Sequence, residues 1–194
     1  GVPFVFRCIN RLDRDTSGLT IVAKHAVSAA ILGQMVRAKA EQGLKAPGIH
    51  RTYLAIVEGK VMPVSGVMDA PIARKEDRCL RRVVDFKRGD RAVTHYRVLT
   101  GWQTGNAQKF RSLVKLQLET GRTHQIRVHM AYLGCPLAGD WLYGKEKPEL
   151  IGRPALHAYA LKLVHPVTGE RLELTAPLPA DMEQLIKDMK SDHI

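Results

Sequence analysis

The sequence predicts an α+β fold in which a mixed, mainly antiparallel central sheet is flanked by helices. Two observations predict it. Short apolar segments typical of strands alternate along the chain with segments of helical apolar periodicity. Several predicted strands are joined by links too short for the crossover that a parallel pair requires, so we expect antiparallel pairs to dominate.

In the first half of the chain, apolar patterning predicts a strand over 19–24 and an amphipathic helix from His25 to about Ala38. The almost wholly apolar segment Tyr53–Val57 predicts a central strand. Residues 74–91 contain eight Lys or Arg and four Asp or Glu. They predict an exposed hairpin, which is either an ordinary solvated surface or a surface that binds phosphates.

In the second half, four more strands are predicted, over residues 93–99, 112–118, 156–164 and 170–175. A helix is predicted with Thr123 as its N-cap and an end near Leu133, and a terminal amphipathic helix begins near Asp181. No repeat or linker divides the chain, and 194 residues suit one domain with a sizeable core.

The composition favours a polyanionic partner. The chain has 30 Lys and Arg against 19 Asp and Glu, a net charge of +11, which favours nucleic acid over a merely soluble basic surface. Cys8, Cys79 and Cys135 form no C-x-x-C pair, which is typical of a reducing compartment, and we expect the cytoplasm. No apolar run approaches the roughly 20 residues of a membrane span, so no membrane partner is expected.

The segment from Arg11 to Gly18 contains the first candidate site. Asp13 and Asp15 lie close to three arginines, Arg7, Arg11 and Arg14. One interpretation is an acid and base pair for glycoside hydrolysis, and another is an ion-paired structural corner. Because nearby positive charge favours an ionised carboxylate, the segment suits a nucleophile better than a general acid.

Arg127 is a second candidate, because small residues share its face of the predicted helix and leave room for a forked contact with a carboxylate. Arg122 lies at the start of that helix, where a cation is unfavourable unless an anion joins it. For Arg127 and Arg122, the alternative is an ordinary surface position. Tyr53, which begins the predicted central strand, is a further candidate, and the alternative for it is an aromatic residue of the core.

His124 and His129 are five residues apart rather than four, so we expect no metal site. Glycine-rich phosphate and dinucleotide motifs are absent from the sequence, so no cofactor is expected.

These segments resemble the RluA-type RNA pseudouridine synthases, whose signature reads H-R-L-D-x-x-T-S-G-L. The segment Arg11–Leu19 matches it, and further motifs of that family follow in order across nearly the whole chain. They are Arg51–Ala55, Ala92–Tyr96, Thr120–His129, Gly139-Asp140, Leu156-His157-Ala158 and His165–Gly169.

The resemblance implies the pseudouridine synthase catalytic-domain fold and a site assembled from distant segments. Asp13 would be the catalytic nucleophile and Arg127 its ion-pair partner. Tyr53 would stack on the target base and is a candidate base for proton transfer, with Leu156 packed beneath it. Arg11 would hold or replace the flipped nucleotide. We include Arg122 among the substrate-binding residues.

The implied activity is isomerisation of uridine to pseudouridine in structured RNA, either ribosomal or transfer RNA, by a monomer. Uracil leaves C1′, rotates and rejoins through C5, and either C1′ or C6 is the position that Asp13 attacks. The reaction involves no redox change, in keeping with the absence of any cofactor motif. A non-catalytic RNA-binding module on the same scaffold is the alternative.

Three features depart from the family's pattern. Asn10 stands where the family usually has His, the connection Gln42–His50 is longer than usual, and the strand-rich segment before the first motif is absent. The chain begins at Gly1 with a strand already under way. We therefore expect residues 1–194 to be one catalytic domain that lacks its N-terminal part and has no S4-like RNA-binding domain.

Overall fold

The computed structural model describes residues 5–45, 48–76, 80–104, 109–145 and 150–191. Within these ranges the strands are β1 (Arg7–Cys8), β2 (Ser17–Gly18), β3 (Val22–Ala23), β4 (His50–Glu58), β5 (Ser65–Asp69), β6 (Ile72–Arg74), β7 (Arg82–Val84), β8 (Val93–Thr104), β9 (Lys109–Leu118), β10 (Leu156–Val164) and β11 (Arg171–Thr175). The helices are α1 (Ala26–Gln42), α2 (Gln125–Tyr132) and α3 (Ala180–Ser191). None of these helices is long and apolar enough to cross a membrane.

The central sheet has the strand order β11-β10-β4-β9-β8-β5, and every neighbouring pair in that order is antiparallel. The short strand β2 adds a parallel pair at β10. The predicted α+β class with a mixed, mainly antiparallel sheet is therefore confirmed. The predicted central strand is β4, which lies between β10 and β9 and buries its apolar run completely from Ala55 to Val57.

The two faces of β4 are covered by different helices. Tyr53, Ala55 and Val57 alternate along one face and pack in a cluster with Ile126 and Met130 of α2. Leu54 and Ile56 point to the other face and pack with Met182 and Leu185 of α3. Burial of each large aliphatic side chain contributes about 1.5–3 kcal/mol, so both faces support the strand that carries Tyr53.

Three predicted elements differ from the structure. The strand expected over 19–24 is broken, because the backbone at Leu19 bonds to β10 and only Val22–Ala23 pairs with β1. The helix expected to end near Ala38 continues to Gln42, and the Gly43 N–H closes it on the Lys39 carbonyl. The predicted N-cap Thr123 is wrong, since His124 occupies that position and the helix begins at Gln125.

The remaining predicted strands are confirmed, with longer bounds in two cases. The basic segment forms a hairpin of β6 and β7, although Asp77, Arg78 and Cys79 lie outside the described residues. The strands predicted over 93–99 and 112–118 pair as β8 and β9, and β10 pairs with β11.

Candidate active site

A pocket of about 340 Å³ lies where the loop after β1 meets β4, the turn before α2 and the start of β10. Five of the six predicted site residues line it: Arg11, Asp13, Tyr53, Arg122 and Leu156. They come from four separate segments of the chain, and only the fold brings them together. The volume lies at the lower end of the range of small-molecule sites.

The loop that carries Asp13 is fixed where it leaves β1. The Ile21 N–H donates to Oδ1 of Asn10 at 2.9 Å, and the Thr16 N–H donates to the Asp13 carbonyl at 3.0 Å to close a turn. Asn10 is buried, and its Nδ2 has no hydrogen-bond partner among the described residues. These contacts hold the half-buried Asp13 at the rim of the pocket.

The same loop is fixed at its other end by a close approach of β2 to β10. Gly18 has φ +108°, and a Cβ there would lie 2.3 Å from the Ala158 carbonyl oxygen, so the approach requires glycine. The next residue, Leu19, donates its N–H to that oxygen at 2.9 Å. The Ser17 hydroxyl lies 2.9 Å from Nδ1 of His157.

The pocket that contains Asp13 is lined by arginines from distant parts of the sequence as well as from its own loop. Arg14 lies 4.0 Å from Asp15 on the surface, and Arg7 donates to the Val5 carbonyl. Such an exposed ion pair contributes little to stability, so the structural-corner interpretation is not favoured. The pocket lining instead contains Arg51 and Arg122 beside Arg11.

Tyr53 forms a buried wall of the pocket and is 5% exposed. It lies opposite Ala158 on β10 and Leu116 on β9, and Leu156 belongs to the same apolar cluster. Burial, reinforced by the negative charge of Asp13, raises the pKa of Tyr53, while the positive charge of Arg51 opposes the shift. The phenol is therefore protonated at neutral pH.

Arg51 is a pocket residue that the sequence analysis did not select. Its Nε is buried and has no hydrogen-bond partner among the described residues. The spacing could have identified it, because residues two apart on a strand share a face and Arg51 lies two before Tyr53.

Arg127 does not line the pocket, and its ion pair differs from the prediction. Nε and Nη2 donate to the two carboxylate oxygens of Asp140, each at 2.8 Å, so its partner is Asp140 rather than Asp13. The guanidinium also lies 5.1 Å from the centre of the Tyr143 ring. Burial lowers the pKa of Arg127. The hydrogen bonds to Asp140 and its negative charge, with a smaller effect of the charge of Asp13, outweigh burial, so the pKa is raised above its usual value.

His124 is a further pocket residue, which the sequence analysis considered only as a metal ligand. It has φ 57°, an uncommon left-handed conformation for a residue other than glycine, and its Nδ1 lies 2.9 Å from the Tyr143 hydroxyl. Burial lowers the pKa of His124, with Arg127 adding to the shift and Asp13 opposing it. Across the described ranges, no three His, Cys, Asp or Glu side chains are grouped so as to hold a metal ion.

The RNA pseudouridylate synthase family matches residues 2–132. The protein described as uncharacterized RNA pseudouridine synthase YjbO of Bacillus subtilis is 46% identical over 187 residues, which cover 96% of this chain and 60% of the relative. Ribosomal large subunit pseudouridine synthase D of Vibrio cholerae is 44% identical over 200 residues, covering 95% of this chain and 56% of the relative.

A solved structure shares the fold. Human RNA pseudouridylate synthase domain containing 1 superposes with a TM-score of 0.72 at 26% identity, covering 96% of this chain and 81% of that chain. The chain spans between 56% and 60% of the length of the two curated relatives.

Proposed function

The chain belongs to the RNA pseudouridylate synthase family, and on that premise we propose that it isomerises uridine to pseudouridine in structured RNA without a cofactor. One observation carries the proposal. A carboxylate, a buried phenol and an apolar side chain, those of Asp13, Tyr53 and Leu156, line a single pocket beside several arginines. This arrangement suits a base that has left its stack and enters next to a nucleophile.

Asp13 is the proposed nucleophile. Its side chain lines the pocket together with Arg11, Arg51 and Arg122. The carboxylate forms a bond to either C1′ or C6 of the target nucleotide. Uracil is then detached from C1′, rotates and is joined to C1′ through C5. The proton of C5 passes to solvent, and the Asp13 carboxylate is regenerated.

Tyr53 is proposed to stack on the target base, supported from below by Leu156. As a buried ring in a rigid strand, it offers a flat surface at little cost in conformational entropy. Tyr53 is also the candidate base for the C5 proton: its phenol first loses its own proton to solvent, and the resulting phenolate oxygen then accepts the proton from C5 and passes it to solvent. Arg51 favours this step, because its positive charge stabilises the phenolate form of Tyr53.

Arg127 is proposed to act as a positioning residue. Nε and Nη2 of Arg127 both donate to the Asp140 carboxylate. The positive charge of Arg127 also interacts with the negative charge of Asp13, without a direct ion pair between the two. The pair also fixes α2 below the turn that carries Arg122 and His124 into the pocket.

The proposed substrate is ribosomal RNA of the large subunit, with transfer RNA as the second candidate. Relatives such as the Vibrio cholerae protein are named for the large ribosomal subunit. Arg11 and Arg122 are proposed to contact the RNA around the flipped nucleotide. We also propose that residues 1–194 act as one catalytic domain in a monomer.

The test of the function is tritium release from RNA labelled with [5-³H]uridine, because formation of the C5–C1′ bond expels the hydrogen at C5. We expect release from large-subunit ribosomal RNA, together with pseudouridine in a nuclease digest of the product. RNA binding without any release would contradict the proposal and favour a non-catalytic RNA-binding module. Release of free sugar would instead indicate glycoside hydrolysis.

A further inference from the structure

His124 lines the same pocket as Asp13 and Tyr53, in a backbone conformation that is uncommon for histidine. Its φ is 57°, and within the described ranges it is the one residue other than glycine with a positive φ. A residue in this region costs free energy, and such residues cluster at functional sites, where the surrounding contacts hold them in place. His124 is therefore a candidate for a role in the pocket.

One nitrogen of the His124 ring is bonded to a residue outside the pocket lining. Nδ1 lies 2.9 Å from the Tyr143 hydroxyl, and the two rings meet edge to face with an interplanar angle of 82°. Tyr143 does not line the pocket. Nε2 lies on another edge of the ring and has no hydrogen-bond partner among the described residues. Nε2 is thus the nitrogen that is available to a substrate in the pocket.

The Tyr143 hydroxyl determines which nitrogen of His124 carries the proton. Its oxygen accepts the backbone N–H of Arg82 at 2.8 Å. The hydrogen of the hydroxyl remains to be donated, and Nδ1 of His124 lies within reach as its acceptor. When Nδ1 of a neutral histidine accepts a hydrogen bond, the ring proton is on Nε2. The contacts therefore favour a neutral ring with an Nε2–H donor.

The surroundings of His124 also keep its ring neutral. Burial has the largest effect and lowers the pKa of His124. The positive charges of Arg127 and Arg82 add to this shift, whereas the negative charges of Asp13 and Asp140 oppose it. Because the pKa lies below its usual value, the ring is uncharged at neutral pH.

We propose that His124 is a catalytic residue whose Nε2–H donates a hydrogen bond to a carbonyl oxygen of the flipped uracil. The inference rests on the proposed function and adds the group that stabilises charge on the departing base. When the bond between C1′ and N1 breaks, its electron pair stays with uracil and is shared with the carbonyl oxygens. A donor that is already fixed in place stabilises this charge without reorganisation. No proton is transferred, and the electron pair returns when C5 bonds to C1′.

A neutral donor suits a pocket that also contains the proposed nucleophile. A charged imidazolium would attract the Asp13 carboxylate and hold it in an ion pair, because hydrogen bonds between charged groups are the stronger ones. An uncharged N–H interacts more weakly with that carboxylate. Asp13 then remains available for attack, while His124 remains available to the base.

The first test measures the tautomer of His124 in the wild-type chain and requires no RNA. In ¹⁵N NMR spectra, the chemical shift of each ring nitrogen shows whether that nitrogen carries a proton. Backbone assignment identifies His124 among the 8 histidines of the chain. We expect a neutral ring with its proton on Nε2 at neutral pH. A charged ring, or a proton on Nδ1, would overturn the proposal.

The second test compares pseudouridine formation by His124→Asn and His124→Gln under single-turnover conditions, with large-subunit ribosomal RNA. Asn tolerates the left-handed conformation but is too short to place a donor where Nε2 lies. Gln is longer and carries its amide N–H groups close to that position. The control is His25→Asn, which removes an exposed histidine at the N-cap of α1, outside the pocket. Thermal melting establishes that each chain is folded.

We expect His124→Asn to lower the rate constant at saturating RNA by about 10²–10³, the usual cost of losing one such donor, with RNA affinity unchanged. His124→Gln should recover part of this loss, and His25→Asn should match wild type. An unchanged rate constant in His124→Asn would overturn the proposal, and so would a loss confined to RNA affinity. Equal losses in His124→Asn and His124→Gln would assign the effect to the turn rather than to a donor and would also overturn it.

Failure of the proposed function gives a different result. A wild-type chain that forms no pseudouridine would refute that function, and the tautomer of His124 could still be measured. A wild-type chain that forms pseudouridine no faster than a folded His124→Asn chain would refute the role of His124 alone.

Discussion

Arg127 and Asp140 form a buried, two-armed ion pair, with both N–O distances at 2.8 Å and side chains 6% and 0% exposed. Asp140 Oδ1 also accepts the backbone N–H groups of Leu142 and Tyr143. The pair therefore ties α2 to the turn that follows Gly139. It fixes the helix whose first residues face the proposed active site.

Asp140→Asn should lower the free energy of unfolding by about 3–5 kcal/mol, because it leaves the buried charge of Arg127 without its counter-ion. Urea denaturation measures the change. The matched control is Glu173→Gln, which breaks a pair with Lys162 that is also 2.8 Å long but lies on the surface. There we expect a loss of at most about 1 kcal/mol. Equal losses in the two variants would contradict the structural role of the Arg127–Asp140 pair.

Gly18→Ala should destabilise the chain by about 1–3 kcal/mol and reduce turnover, because its Cβ collides with the Ala158 carbonyl and displaces the loop of Asp13. The control is Gly33→Ala in α1, where a Cβ meets nothing within 4 Å. It should instead stabilise the helix by about 0.5–1 kcal/mol. A Gly18→Ala chain as stable and active as wild type would show that the close approach of β2 to β10 is not required.

The buried Lys39 should make the stability of the folded chain depend on pH. Its ammonium group is buried in α1 and donates to the Ile49 carbonyl at 3.0 Å. Burial, with the charge of Arg51 adding and that of Glu119 opposing, lowers its pKa from 10.5 to about 8. The folded state thus holds fewer protons than the unfolded state between pH 8 and 10.5, and its stability rises with pH across that window.

The cost of the buried charge, about 3 kcal/mol, is fully present below pH 8 and is relieved by pH 10.5. Lys39→Met removes this cost, so the difference in free energy of unfolding between wild type and variant should shrink as pH rises through the window. Urea denaturation at several pH values tests it. A difference that stays constant with pH would contradict the depressed pKa.

Tyr53→Phe separates the two roles proposed for that residue. The ring remains, so we expect RNA binding to be unchanged, while kcat falls by about 10²–10⁴ because the group that accepts the C5 proton is lost. Tyr53→Leu should weaken both binding and turnover, since it removes the stacking surface as well. Single-turnover kinetics measures the two effects, and an unchanged kcat in Tyr53→Phe would exclude the hydroxyl from proton transfer.

Local patterns in the sequence predicted much of this fold because its strands are strongly apolar and its links are short. The segment Tyr53–Val57 was correctly predicted to be a central strand of the sheet, because a strand covered on both faces is apolar throughout. The prediction of a continuous strand over 19–24 was wrong, because Gly18 lies against β10 and the Leu19 N–H bonds to the Ala158 carbonyl of that strand. No local pattern in the sequence reveals this contact. The prediction of Thr123 as the N-cap of α2 was wrong, because His124 occupies the N-cap position in the left-handed conformation.

The candidate site was predicted from motifs, and its errors concern Arg127, which lies outside the pocket, and Arg51 and His124, which line the pocket but were not selected. Five of the six predicted residues line one pocket. The ion pair of Arg127 was assigned to the wrong carboxylate, because pairing depends on how α2 packs against the turn after Gly139. Arg51 was identified only by its place in the pocket lining, although its position two residues before Tyr53 on β4 puts both side chains on one face of the strand.

The most direct test of the central claim compares Asp13→Asn with Asp15→Asn. Both changes remove one negative charge from the same loop, but Asp13 lines the pocket and Asp15 does not. We predict that Asp13→Asn lowers tritium release from [5-³H]uridine-labelled RNA by more than about a thousandfold, as loss of a nucleophile does, while RNA binding and melting temperature stay close to wild type. Asp15→Asn should retain release. Undiminished release by Asp13→Asn, or equal losses in both variants, would contradict the assignment of Asp13 as the nucleophile.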